Sequence, residues 1–238
     1  MTIIKGKHAI EEALNANINI QEIIMSTSLG KDKTTQKIYL KAQRNHIKIR
    51  ELSPQDFQST VKDPTAQQIV AKIPSIQPKS LDFVIQNIAK TPIIVAIDHI
   101  EDPYNFGAIM RTCEALGIKT IIYPKDRNAT LTGGVIKASS GAVYHLNLIQ
   151  VANIGNSLQK LKKEGYWIYG TSSHNGQSIT TTEVNKPCIL VLGNEKKGLS
   201  PRINKLVDLN LMIPIKGQME SFNVSVATGI LLYEITKS

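Results

Sequence analysis

Hydrophobic and polar residues alternate in short blocks along the first part of the chain, and the spacing inside these blocks changes between helical and strand periodicity. Apolar positions three or four residues apart predict amphipathic helices, whereas short β-branched runs predict strands. In chain order the pattern predicts a helix in GKHAIEEALNAN, a strand in QEIIMS, a helix in KTTQKIYLKAQRN, a strand in HIKIREL, a helix in SPQDFQSTV and a strand in QQIVAKI. Residues 1–75 are therefore predicted to form a small α/β unit.

Residues 76–90 are predicted to link this unit to a second one. Pro74 and Pro78 interrupt the segment IPSIQPKS, and proline marks boundaries between regular elements. A polar helix in LDFVIQNIAK then leads into the remainder of the chain. We expect two domains, the first over residues 1–75 and the second over residues 91–238.

From residue 91 onward the apolar runs are continuous, which is typical of strands covered on both faces. The predicted strands lie in PIIVAID, KTIIYP, VYHLNLIQV, YWIYGT, CILVLG and LNLMIP, and LTGG is predicted to be a turn. The predicted helices run from Asn105 to Leu116, through SLQKLKKEG, after Ser200 and from Asn223 to the end. This order predicts the α/β fold class, with a mostly parallel sheet flanked by helices.

The chain is basic, with 28 Lys and Arg against 19 Asp and Glu and a net charge of +9. Such an excess favours a polyanionic partner such as nucleic acid, although an ordinary solvated surface explains it equally well. Cys113 and Cys188 lie far apart in apolar runs, and no apolar run approaches the roughly 18 residues of a membrane span. We expect a cytoplasmic protein with no membrane partner and two core cysteines.

Several common site types are not favoured. The segment GNEKKGLS nearly matches a Walker A loop, but Leu199 stands where its lysine belongs and Glu195 would repel phosphate. The sequence contains no G-x-G-x-x-G, so a Rossmann dinucleotide site has no anchor. The histidines are scattered, and His99 among nearby carboxylates is more simply explained as part of a turn than as a metal ligand. We therefore expect no metal site.

Three polar segments each follow directly after a predicted strand, where open α/β sheets place their sites. The first, DPYNFGAIMRTCEALG, offers Asn105 as a helix cap and leaves Arg111 outside the apolar stripe, so that Arg111 should point outward. The second, LGNEKKGLS, has glycines that allow close backbone approach to a ligand. The third, IPIKGQMESFNVSVATG, has Ser221 and Asn223 at a helix start. Capping explains each residue alone but not the ordered set.

These segments resemble the three motifs of the SpoU (TrmH-like) RNA ribose 2′-O-methyltransferases of the SPOUT superfamily. The resemblance spans about residues 91–238, and the first unit is similar to the ribosomal-protein-like substrate-binding domain of many members. Phe106 and Phe222 depart from the usual leucine, as does Lys196 from a common glycine. The matching residues are Asn105, Gly107 and Arg111, then Gly193, Glu195, Gly198 and Leu199, and finally Ile213, Pro214, Gly217, Ser221, Asn223, Val224, Ser225, Val226 and Ala227.

The resemblance implies an α/β domain with a deep C-terminal trefoil knot, S-adenosyl-L-methionine as the cofactor, and a homodimer whose interface completes the active site. The two-domain build is most like the members that methylate a guanosine of large-subunit rRNA. Two alternatives stay open. One is methylation of a guanosine in the tRNA D-loop, and the other is a non-catalytic RNA-binding factor in ribosome assembly.

The resemblance also implies roles for individual residues. The implied catalytic residues are Asn105, Arg111, Glu195, Ser221 and Asn223, and the implied cofactor-binding residues are Thr171, Gly193, Asn194, Gly198, Ile213 and Phe222. Because a guanidinium normally stays protonated, we favour a role for Arg111 in stabilising the developing alkoxide. The amides of Asn105 and Asn223 would hold the ribose or the arginine. Glu195 would anchor the arginine or a base, and Ser221 would orient the 2′-hydroxyl.

Overall fold

The computed structural model describes residues 2–15, 17–63, 66–126, 128–129, 131, 133–194 and 197–237. The chain divides into two compact units. The first unit comprises Met1–Ile76 and Leu131–Tyr144, and the second comprises Gln77–Thr130 and His145–Ser238. Two segments thus group differently from the predicted division, because residues 131–144 join the first unit and residues 77–90, the predicted linker, pack with the second.

The elements follow one another in a regular α/β succession. The strands are β1 (Thr2–Lys5), β2 (Glu22–Ser26), β3 (Lys48–Leu52), β4 (Ile69–Ile73), β5 (Ile93–Ile97), β6 (Thr120–Pro124), β7 (Asn147–Val151), β8 (Trp167–Thr171), β9 (Gln177–Ser178), β10 (Cys188–Leu192) and β11 (Leu209–Met212). The helices are α1 (Lys7–Asn15), α2 (Lys33–Arg44), α3 (Pro54–Val61), α4 (Leu81–Ile85), α5 (Pro103–Ala115), α6 (Gly133–Ala138), α7 (Ile154–Lys163), α8 (Pro201–Asn204) and α9 (Val224–Lys237). Short 3₁₀ helices lie at Ile88–Lys90 and Ala142–His145.

The first unit is a mixed sheet in the order β1-β4-β2-β3, with β2 and β3 parallel and the other neighbouring pairs antiparallel. Its predicted helices and strands are all present. Ser53 begins α3 as predicted, because its side chain accepts a hydrogen bond from the Asp56 N–H and Pro54 takes the first helical position. The strand β1 was not predicted, since its four residues are too few for a periodic signal.

Helix α6 corrects the sequence analysis, which predicted a turn around Gly133. The helix packs against β1 and α1 of the first unit, and its Val135 and Ile136 are fully or almost fully buried. Glycine lowers intrinsic helix propensity by about 1 kcal/mol per residue, so the local sequence favours a turn. Burial of the two apolar side chains outweighs that local preference.

The second unit is a parallel sheet in the order β7-β6-β5-β10-β8-β11-β9. Its central strands β5 and β10 are buried except for the partly buried Ile93, which explains why their sequences lack polar alternation. The α/β fold class predicted from the sequence is therefore confirmed. Strand β10 lies between β5 and β8 and pairs with both in parallel, so the segments that follow these strands leave the sheet at the same edge.

Two predicted element boundaries differ in the structure. Asp102, not Asn105, caps α5, because its carboxylate accepts from the Tyr104 N–H at 3.0 Å and Pro103 occupies the first turn. The predicted capping role of Asn105 is therefore wrong. The predicted strand VYHLNLIQV begins later than predicted. Its first residues belong to a 3₁₀ helix over Ala142–His145, and β7 begins at Asn147. Among the described residues, no helix is both long enough and apolar enough to cross a membrane.

Candidate active site

A cavity of about 510 Å³ opens at the edge of the sheet where β8, β10 and β11 end. Its volume lies within the range of about 300–1,000 Å³ that small-molecule sites typically have. The walls come from the segments after these strands and from the start of α9. All six residues predicted to bind a cofactor line this one cavity: Thr171, Gly193, Asn194, Gly198, Ile213 and Phe222.

The loop after β10 is held closed by its own backbone. The Asn194 N–H donates to the Gly198 carbonyl at 3.0 Å, and the Gly198 N–H donates to the Asn194 carbonyl at 2.8 Å. A Cβ atom at Gly193 would lie 2.4 Å from the carbonyl carbon of Gly198, so only glycine allows this approach. Gly198 has φ of +65°, which also favours glycine. Glu195 and Lys196 lie outside the described residues.

The cavity combines apolar walls with backbone polar groups. Ile213, Leu199 and Phe222 supply apolar surface, and the Phe222 side chain remains 42% exposed. The Thr171 hydroxyl donates to the Val191 carbonyl at 3.2 Å, which ties the end of β8 to β10. Such a surface suits a neutral heteroaromatic ring, which stacks on apolar side chains and hydrogen-bonds to backbone groups.

Asn105 and Asn223 meet directly across α5 and α9. The Asn223 side-chain amide donates to Asn105 Oδ1 at 3.1 Å. Asn223 Oδ1 accepts from the Ser225 N–H at 2.9 Å and from the Val226 N–H at 3.4 Å, and thereby caps α9. Ser221, two residues earlier, lines the cavity. The structure thus places Ser221 in the cavity wall and the asparagine pair at the adjoining end of α9.

Arg111 lies on a different surface. Its side chain is exposed on α5, as its position outside the apolar stripe predicts. It lines a shallow, largely apolar groove between α5 and α9, to which Leu116, Ile230 and Tyr233 also contribute. Among the described residues that line the cavity at the sheet edge, Arg111 is absent. Within one chain, therefore, the arginine and the predicted cofactor residues occupy separate concavities.

The sequence analysis missed part of the cavity wall. Residues 172–175 follow β8 directly and line the cavity together with Asn204 and Asn210. The rule that singled out the other segments, namely polar residues directly after a buried strand, also applies to the segment TSSHN and could have found it.

Neither metal chemistry nor a cysteine nucleophile is indicated by the described part of the chain. No group of three or more His, Cys, Asp and Glu side chains there is arranged to hold a metal ion. Burial raises the pKa of the Cys113 thiol to about 12 and that of Cys188 to about 11. Both thiols therefore stay protonated at neutral pH and pack as small apolar side chains.

Comparison with known proteins decides the family. The model of the SpoU rRNA methylase family matches residues 92–233, and the model described as RNA 2′-O ribose methyltransferase substrate binding matches residues 3–79. The chain belongs to the SpoU rRNA methylase family. A TrmH family tRNA/rRNA methyltransferase of Staphylococcus saprophyticus is 33% identical over 236 residues, which cover 98% of this chain and 94% of that protein. The predicted family and the predicted class of enzyme, an RNA methyltransferase, are confirmed.

Solved structures share the fold. The AdoMet-bound rRNA methyltransferase from Sinorhizobium meliloti matches with a TM-score of 0.70 and 21% identity, covering 99% of this chain and 87% of that one. The TrmH/SpoU tRNA modifying enzyme of A. aeolicus matches with a TM-score of 0.56 and 31% identity, covering 66% of this chain and 83% of that one. The rRNA enzyme therefore matches nearly the whole chain, whereas the tRNA enzyme matches about two thirds of it.

The two roles of Asn223 can be separated by substitution. Asn223→Ala removes both the capping oxygen and the amide donor to Asn105, and we expect it to lower the free energy of unfolding by about 1–2 kcal/mol. Asn223→Asp keeps an oxygen that can cap α9 and loses only the donor, so we expect a loss of about 0.5 kcal/mol. Denaturant-induced unfolding of both variants measures the difference. Equal losses would contradict the capping role.

Proposed function

We propose that this enzyme transfers the methyl group of S-adenosyl-L-methionine to the ribose 2′-hydroxyl of a specific nucleotide, a guanosine of large-subunit rRNA. One observation carries the proposal. The six residues matched to cofactor binding line a single cavity, and Ser221, matched to catalysis, lies in the same wall. Because these residues come from separate segments of the chain, local turns and caps do not account for their convergence.

The residues present fit this cofactor. The close approach of Gly193 to Gly198 keeps side chains out of one wall, so that backbone groups face the cavity. Ile213 and Phe222 would contact the adenine ring, and Thr171 and Asn194 would border the same site. When bound, S-adenosyl-L-methionine supplies an electrophilic methyl group on a positively charged sulfur. The AdoMet carried by the S. meliloti structure supports this assignment.

The chain's own side chains would align and activate the ribose. A 2′-hydroxyl is a weak acid, so methyl transfer requires alignment and stabilisation of the negative charge that develops on its oxygen. Ser221 would hold that oxygen by a hydrogen bond at the cavity wall. Arg111 would stabilise the charge with its guanidinium group. The bond between Asn223 and Asn105 holds α9 against α5, the helix that carries Arg111, and Glu195 would anchor the arginine.

A homodimer through the α5 and α9 face would complete this arrangement. Arg111 lines the groove between these helices rather than the cavity. Most of the large hydrophobic side chains exposed in the described residues lie on α5, on α9 or just before α9: Tyr104, Met219, Phe222, Val226 and Tyr233. Clustered apolar exposure typically marks an interface. A second copy on this face would cover it and bring an arginine towards the cavity of its partner.

The choice of RNA follows from the first unit. An rRNA methyltransferase structure matches both units, whereas the tRNA modifying enzyme leaves about a third of the chain unmatched. The first unit is therefore proposed to bind rRNA. The higher sequence identity of the tRNA enzyme keeps a tRNA D-loop guanosine as the second candidate substrate. The trefoil knot and the cytoplasmic location stay predictions.

Helix α2 offers a surface for that RNA. Lys33, Lys37, Lys41 and Arg44 are spaced by four, four and three residues, which places them along one face of the helix. We call this row the basic stripe. Lys37 lies 3.4 Å from Glu11, a surface ion pair of the kind that contributes little, so the stripe keeps a strong positive potential. Phosphate groups of a polynucleotide are the partner with matching charge.

Methyl transfer from labelled S-adenosyl-L-methionine tests the activity. We expect label to enter a transcript of the peptidyl-transferase region of large-subunit rRNA as a 2′-O-methyl nucleotide, and not to enter tRNA. Arg111→Ala should lower the rate by at least about 100-fold, because it removes the charge that stabilises the developing alkoxide. Arg202→Ala is the matched control, since this arginine contacts Asn156 on α7 instead.

Each other outcome has a definite meaning. Label in tRNA alone would keep the enzyme class and overturn the proposed substrate. Label in neither RNA, from a protein that binds the cofactor, would contradict the proposed reaction and favour the non-catalytic alternative. Full activity of Arg111→Ala would remove this residue from the mechanism.

Oligomeric state tests the proposed dimer. We expect light scattering to give twice the chain mass for the wild-type protein and a single chain mass for Tyr233→Asp, because the dimer would bury the new carboxylate without a partner. Tyr233 is 52% exposed, so the same change should cost the isolated chain little. Leu40→Asp, at a side chain 56% exposed in the first unit, is the matched control and should remain dimeric. A monomeric wild-type protein would contradict the proposal.

Charge removal tests the basic stripe. Lys33→Gln combined with Arg44→Gln should raise the KM for RNA about five- to tenfold and reduce the salt dependence of that KM by about two phosphate contacts. The KM for S-adenosyl-L-methionine should not change. Lys160→Gln combined with Lys163→Gln removes the same charge from α7 of the second unit and should leave the KM for RNA nearly unaltered. Equal effects of the two pairs would show that only net charge matters.

A further inference from the structure

A buried carboxylate lies directly beyond β5, beside the loop that lines the cavity. The Asp98 side chain is only 2% exposed, and a buried charge is costly unless it is paired and hydrogen-bonded. One oxygen of Asp98 accepts from the backbone N–H of Ser200 at 2.9 Å. The other lies 2.5 Å from His99 Nδ1. Both carboxylate oxygens are thus engaged, one of them by the end of the cavity loop.

The neighbouring residue holds the start of the same loop. His99 has φ of +68°, a left-handed conformation that is uncommon for residues other than glycine. In this conformation its backbone carbonyl accepts from the Asn194 side-chain amide at 3.1 Å. The contact between its imidazole and Asp98 holds the strained residue in place. The Asp98–His99 pair therefore contacts the loop at both ends, at Asn194 and at Ser200.

We propose that Asp98 and His99 are positioning residues that hold the two ends of the loop after β10, at Asn194 and at Ser200, in the conformation that binds the cofactor. The inference rests on the proposed function of the cavity. Four described residues of this loop, Asn194, Lys197, Gly198 and Leu199, line the cavity wall, whereas Asp98 and His99 do not line it. A loop with glycines at its turns has many conformations to lose on binding. Anchoring both ends beforehand lowers that entropic cost and so raises affinity for the cofactor.

From the sequence, His99 and the nearby carboxylates were predicted to form a turn rather than a metal site. The contact between Asp98 and His99 has two explanations, which experiments can separate. An ordinary structural contact would affect the stability of the whole unit, whereas a positioning pair would affect the affinity for the cofactor at constant affinity for RNA. These two effects are measured separately, as the Kd and KM for S-adenosyl-L-methionine on one side and the unfolding midpoint and the KM for RNA on the other.

Asp98→Asn is the first test variant. An amide carries no charge and offers one acceptor in place of two, so it can no longer accept both from Ser200 N–H and from His99 Nδ1. We expect the Kd and the KM for S-adenosyl-L-methionine to rise about tenfold, because a hydrogen bond to a charged group is lost from the loop. At saturating cofactor the kcat and the KM for RNA should return to within about twofold of the wild-type values.

Ser200→Pro tests the same bond from the other side, at the donor. Ser200 has φ of −61°, which proline adopts, so the backbone conformation is retained, but the substitution removes the N–H that Asp98 accepts and places the ring Cδ against the carboxylate. It should raise the Kd for S-adenosyl-L-methionine as Asp98→Asn does. Ser200→Ala keeps the N–H and removes a hydroxyl that makes no capping bond, so it should bind like wild type.

Asp208→Asn is the control for a general loss of stability. Asp208 also accepts from a backbone N–H, that of Ile168 at 2.9 Å, and lies 2.5 Å from Lys162, but at the start of β11, away from the cavity. We expect this variant to unfold more readily with an unchanged Kd for S-adenosyl-L-methionine. Calorimetric titration of the full-length variants gives each Kd, and thermal unfolding without ligand gives each midpoint.

Three results would overturn the inference. One is an unchanged Kd in both Asp98→Asn and Ser200→Pro, from a wild-type protein that binds the cofactor. Another is an equal rise in Kd for Asp208→Asn, which would mean that the effect reports stability alone. The third is a wild-type protein that does not bind S-adenosyl-L-methionine, which would overturn the proposed function together with this inference, whereas the first two would leave that function intact.

Discussion

The parallel pairing of β10 between β5 and β8 is the constraint on which the candidate site depends. Leu192 pairs with Ile97, and Val191 pairs with Gly170, so three strands far apart in sequence end at one level. The strands are buried on both faces, and burial of their apolar side chains drives the pairing. Polar residues that follow such strands cannot remain inside the sheet, so they collect at its edge. The segments that contain these polar residues form walls of the cavity.

Helices α5 and α9 fix the relative positions of polar side chains beside the cavity. Asn223 uses its oxygen to cap α9 and its amide to contact Asn105, so one side chain fixes both the start of a helix and its neighbour. The same helices present exposed apolar side chains, including Tyr104 and Tyr233. This exposed surface is the one that we propose a second copy of the chain covers.

Much of this fold could be predicted from the sequence, because its strands are continuous β-branched runs and several helices begin with strong caps such as Ser53. The site segments were also predictable, since they follow those strands. The features that could not be predicted depend on tertiary contacts. Glycines concealed α6, whose stability comes from burying Val135 and Ile136 against the first unit. The pairing of Asp98 with a backbone N–H 102 residues away, and the left-handed backbone of His99, are long-range features that no window of sequence contains.

Attraction of RNA and alignment of the ribose for methyl transfer depend on different interactions, and we propose that different units of the chain provide them. Charges along α2 act over about 8–10 Å in salt solution, so lysines on flexible side chains can hold a polyanion without exact placement. Methyl transfer requires exact placement, because moving a reacting group by about 1 Å can lower the rate about 100-fold. The second unit accordingly fixes its loops and helices with short bonds to buried or capping groups, such as Asp98 to Ser200 and Asn223 to Asn105. On the proposed function, long-range attraction of the RNA is the task of the first unit, and alignment of the ribose is the task of the second.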